Sequence, residues 1–68
     1  MTTITFCYLG ILVEYVDGAI TCTADGVPQG EYTMGSTMIV GSTILSAAVR
    51  RAIHAEIEAT LAGMEIAV

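Results

Sequence analysis

Asp17-Gly18, set between two stretches that alternate apolar and polar residues, constrains this chain more than any other feature. A two-residue connection of this composition is a hairpin turn, because Asp and Gly both accept the positive φ that such a turn demands. Turning there pairs Val16 with Ala19, Tyr15 with Ile20 and Val13 with Cys22. That register gathers Ile11, Val13, Tyr15, Ile20, Cys22 and Ala24 on one face and leaves Leu12, Glu14, Thr21 and Thr23 on the other. A slip of one residue would send the whole apolar set to solvent, so turn chemistry and hydrophobic pattern specify the same pairing independently.

Upstream, TITFCY (residues 3 to 8) alternates in the same way, with Ile4, Phe6 and Tyr8 opposite Thr3, Thr5 and Cys7. The parity changes at Leu9-Gly10. A bulge at the glycine within one long bent strand meets that change, and so does a tight hairpin. Leucine disfavours positive φ, so the bulge is the expectation. Downstream, DGVPQG (Asp25 to Gly30) reads as a loop, and Glu31 to Met34 with Thr37 to Val40 as a returning strand.

Ser42 to Gly63 reads as an amphipathic helix, with Ser42 or Thr43 as N-cap and Gly63 as a left-handed C-terminal residue. Leu45, Val49, Ile53, Ile57 and Leu61 recur every four residues, flanked by Ala48 and Ala52, and form one apolar stripe. Arg50, His54 and Glu58 make a second row, expected to be solvated. Met64 to Val68 reads as a short tail that adds an edge strand or frays. The expected fold is α+β: an antiparallel β-meander of three to four strands followed by one C-terminal helix packed on one sheet face. A single domain, 1-68, would carry strands at about 3-16, 19-24 and 31-40 and a helix at about 43-62.

With 68 residues, 54% of them hydrophobic, the chain carries more apolar material than one small core hides. A homodimer or larger assembly would cover the surplus. A membrane span would also do so, and residues 32–49 carry no charge ahead of Arg50-Arg51. Gly35, Gly41 and several Ser and Thr interrupt that stretch, which disfavours a span, and the N-terminus lacks the basic start of a secretory signal.

Seven acidic residues face two arginines and no lysine, a formal net charge of −5. Without a basic stripe to displace counterions, direct nucleic-acid binding is disfavoured, whereas a basic partner protein is attracted. The candidate contact charges are Glu14, Asp17, Asp25, Glu31, Glu56 and Glu58. No catalytic residue, metal ligand set or cofactor motif is expected. His54 with Glu58 reads as a helical ion pair, and Gly41-Ser42-Thr43 as a cap rather than a phosphate cradle. Asp17 and Asp25 read as turn residues rather than, with Glu31, a cation site, and Tyr8, Tyr15 and Tyr32 as sheet packing. Cys7 and Cys22 fall on strand-like stretches, where a free thiol packs as a small hydrophobe; a bridge between them stays open.

The segment GSTILSAAVRRAIHAEIEATLAGMEI, Gly41 to Ile66, resembles the helix of HicB-like antitoxin domains, and an Asp-Gly hairpin ahead of it fits their layout. That likeness implies an antitoxin that sequesters an RNase toxin. By overall type, short, acidic and free of motifs, the chain resembles phage-encoded inhibitors of the anti-CRISPR kind, some of which mimic the charge of DNA. The leading expectation is therefore a non-enzymatic inhibitor that masks a basic, nucleic-acid-binding partner in the cytoplasm of a bacterial host. A structural homo-oligomeric phage component, associating through the open sheet face, is the further alternative.

Overall fold

A computed structural model describes the backbone of residues 1–66 and the side chains of residues 1–64. Five antiparallel strands run β1 (Thr3–Tyr8), β2 (Ile11–Val16), β3 (Ala19–Ala24), β4 (Val27–Met34) and β5 (Ile39–Gly41), followed by one helix, α1 (Ala47–Ile66). Their order in the sheet is their order in the chain, a pure meander. The fold is thus α+β, with five strands in place of the expected three to four.

Three turns of one kind make the meander. Leu9-Gly10, Asp17-Gly18 and Asp25-Gly26 each place both central residues at positive φ: 50° and 79°, 47° and 97°, 51° and 78°. This is the primed turn whose twist matches that of the strands it joins. The central pairing, Val16↔Ala19 through Ile11↔Ala24, is the one that the sequence dictates.

The expected bulge at Leu9-Gly10 is instead a hairpin, with Tyr8↔Ile11 through Thr3↔Val16 in register. A left-handed leucine costs about 1–2 kcal/mol. The six-residue ladder outweighs that cost, and the Leu9 side chain stands in solvent, 77% exposed, where it meets no clash.

A bulge does exist, but in β4. Thr21 pairs with Glu31 and Thr23 with Pro28, so Cys22 faces both Gln29 and Gly30. Gly30 takes φ 100°, and a Cβ there would run into Ser42. The expected loop Asp25 to Gly30 therefore shrinks to a two-residue turn followed at once by strand. The single strand expected at 31-40 begins at Val27 and breaks at Gly35–Met38, where the Gly35 N–H donates to the Met38 carbonyl at 2.9 Å.

The helix also starts later than the sequence suggests. Ser46 is the cap: its hydroxyl accepts from the Val49 N–H at 3.4 Å and its carbonyl from the Arg50 N–H at 3.0 Å. Ser42 instead closes a local turn by accepting from the Ile44 N–H. Gly63 does not end the helix, which runs through it to Ile66. Of the expected edge strand or frayed tail at 64–68, residues 64–66 are helical, and 67–68 lie outside the described residues.

The helix covers the sheet face that carries Ile4, Val13, Ile20, Cys22, Tyr32 and Ile39, with Leu45, Ile53 and Ile57 closing the core from above. Ile53 and Ile57 are wholly buried, and each contributes about 1.5–3 kcal/mol. The Tyr32 hydroxyl fastens the layers together, donating to the Gln29 carbonyl at 2.6 Å and accepting from the buried Leu45 N–H at 3.3 Å. No helix among the described residues is long and apolar enough to cross a membrane.

Candidate interaction surface

The uncovered face of the sheet is built from the alternate residues of the same strands. Pairing aligns Thr3, Val16, Ala19, Thr33 and Val40 in one row across all five strands. A second row holds Thr5, Glu14, Thr21 and Glu31, and a third Cys7, Leu12, Thr23 and Pro28. Threonine suits such a surface, since its branched Cβ favours strand while its hydroxyl tolerates water. Glu14 and Glu31 flank Thr21 at two strand spacings, about 10 Å apart. Beside them lies an open groove of about 420 Å³, lined by Ala19, Thr21, Glu31, Thr33, Val40 and Gly41 among others.

Both arginines are on the other layer. Arg50 is half-buried, its Nε donating to the Leu45 carbonyl at 3.1 Å, and Arg51 is exposed on the helix. The uncovered face therefore has carboxylates but neither arginine, whereas the helical layer carries charge of both signs.

The six candidate contact charges do not share one surface. Only Glu14 and Glu31 lie in one row of the uncovered face. Asp17 and Asp25 occupy turns at opposite ends of β3, about 20 Å apart along six residues of strand. Asp17 is also engaged locally: its carboxylate accepts from the Thr2 N–H, and its own N–H donates to the Thr2 carbonyl at 2.9 Å. Glu56 and Glu58 belong to the helical layer. Among the described residues no three His, Cys, Asp or Glu side chains gather to hold a metal ion.

His54 departs from its expected solvated place. It is 4% exposed, with Nε2 2.9 Å from the Gly35 carbonyl and Nδ1 3.2 Å from a Glu58 carboxylate oxygen. Both partners are acceptors; a neutral ring has one N–H to give, and a protonated ring donates to both. The contact ties the helix to the β4–β5 connection. Tyr8 and Tyr15 are half-buried against the core and Tyr32 is buried in it, so all three tyrosines pack.

The two cysteines point to opposite sides. Cys7 is exposed in the third row, Cys22 is buried under the helix, and both are free thiols. Burial pushes the Cys22 thiol above its ordinary value. The part of this surface that sequence reasoning missed is the alignment of Thr5 and Glu31 with Glu14 and Thr21. The signal was present in the eight-residue spacing of Gly10, Gly18 and Gly26, which marks three equal hairpins. Compared with known proteins, the chain matches no family model, and no curated protein or solved structure is found to be similar to it.

Proposed function

We propose that the protein is a small non-enzymatic binding module that inhibits a basic, nucleic-acid-binding partner by covering its surface with the open face of the sheet. The single observation that carries this reading is the confinement of both arginines to the helical layer: Glu14 and Glu31 stand on a threonine floor that neither arginine reaches. A face of one sign steers a basic protein toward it and repels nucleic acid, so that the partner exchanges one for the other. The footprint is narrower than the overall acidity suggests. Glu14 and Glu31 form its centre, Asp17 and Asp25 lie at its two ends, and Glu56 and Glu58 fall outside it.

The test is capture of a nucleic-acid-binding protein from bacterial lysate by the wild-type chain and by two variants. Glu14→Lys with Glu31→Lys should weaken capture about tenfold or more and flatten its salt dependence. Glu56→Lys, in the helical layer, should leave both unchanged. Equal loss in both variants would mean that net charge alone is read, and no loss in either would remove the open face from the reading.

A further inference from the structure

We infer that β1 is a self-association edge, and that two copies join there, antiparallel, into one ten-stranded sheet. β1 is an outer strand of the sheet, and among the described residues nothing pairs with its far side. The register shows which backbone groups face outward. Tyr8↔Ile11 closes a two-residue turn and exchanges both its hydrogen bonds across the hairpin, so Phe6 and Ile4 do the same. The Asp17 N–H to Thr2 carbonyl bond continues that series. Thr3, Thr5 and Cys7 therefore aim their N–H and C=O groups away from β2.

Nothing on this strand blunts the edge. Thr3–Tyr8 contains no charge, no proline and no bulge, the devices by which an outer strand discourages pairing. The partner is a second copy because the strand is complementary to itself. A two-fold axis through Thr5 sets Thr5 against Thr5, Thr3 against Cys7, and Ile4 against Phe6 of the other copy. Small polar residues then meet on the open face and large apolar ones on the covered face, with the outward backbone groups in hydrogen-bonding phase. The same register brings Met1, 97% exposed, beside Leu9, 77% exposed, of the second copy. These are the two most exposed large hydrophobic side chains among the described residues, one beyond each end of β1, and pairing covers both.

Charge permits this contact. On the open face the carboxylates nearest the axis would be the two Glu14 side chains, separated by three strand spacings or about 14 Å. That exceeds the screening length of about 8 Å at physiological salt.

The inference stands independently of the partner reading above, since it needs only purified protein. Light scattering on the wild-type chain should give twice the monomer mass. Thr5→Lys places a charge on the axis, and Thr5→Pro removes an outward N–H that the β1–β2 ladder does not use. Both should return the mass to that of a monomer, with the circular dichroism spectrum kept. Thr5→Cys in a Cys7→Ser background should oxidise to a covalent dimer, because residues paired in this way lie about 5.5 Å apart at Cα. Thr21→Cys in the same background, two strands inward on the same face, should not. A monomeric wild-type chain, a dimer that survives Thr5→Lys, cross-linking through Thr21→Cys as readily as through Thr5→Cys, or a Cys7–Cys7 disulfide in the wild-type chain would each overturn the inference.

Discussion

The two faces of this sheet are made by the same thirty or so residues of chain, taken alternately, and they are held in place by different things. On the covered face Ile20, Tyr32 and Ile39 are fixed by neighbouring strands and by the helix, and Tyr32 also by two hydrogen bonds of its hydroxyl. On the open face Thr5, Thr21 and Thr33 are exposed, and the ladder alone sets where they stand. Packing dictates the chemistry of one face and leaves that of the other free. The Glu and Thr residues of the free face are thus a property that folding does not require.

Substitutions that treat the faces differently sharpen this contrast. The largest effect is expected at Ile57, which is wholly buried between helix and sheet. Ile57→Ala should cost about 2–5 kcal/mol, enough to leave a domain of this size largely unfolded, as thermal denaturation would register. A loss under about 1 kcal/mol would mean that the helix is not part of the cooperative unit.

The two cysteines offer a gentler probe, one on each face. A thiol reagent at neutral pH should modify Cys7 rapidly and leave Cys22 untouched until denaturant is added. Because burial raises the Cys22 thiol, the folded state holds that proton more tightly than the unfolded chain does. Its contribution to stability is complete below the ordinary thiol range and is lost as pH rises through the raised value, so alkali should favour unfolding and labelling together. Equal labelling of both cysteines in native buffer would erase the distinction between the faces. The smallest effect is expected at Thr21→Val, which keeps the branched shape on the exposed face and should change stability by no more than about 0.5 kcal/mol in the same melting experiment.

The sequence made the central hairpin legible because two independent signals, an Asp-Gly turn and strict alternation, agreed there. At Leu9-Gly10 they disagreed, since local preference argued against a left-handed leucine while the ladder of six residue pairs required one. The helix start was obscured by three hydroxyl residues, Ser42, Thr43 and Ser46, each able to cap. Contacts between distant residues settled it: Tyr32 holds the Leu45 N–H, and Gly30 packs beneath Ser42, which leaves Ser46 as the free capping position. His54 was misread for a similar reason. At i, i+4 from Glu58 it has the pattern of a surface pair, and only the approach of the Gly35 carbonyl from another element buries it. For the candidate site, Glu14 could be assigned to the open face from the sequence. Glu31 could not, because the β4 bulge shifts the register before it.

The three equal turns also predict an order in which the molecule assembles. Each of the first three strands meets the next across only two residues, so the chain closes no long loop to form these hairpins. Such a sheet zips, with the Asp17-Gly18 hairpin as the natural first link and the others added on either side. The docking of the helix against β1 brings together parts far apart in the chain. The topology therefore predicts a fast local collapse followed by the closing of a cover. Between the two steps the face bearing Ile20 and Ile39 lies open, and that short interval is when the chain is most exposed to aggregation.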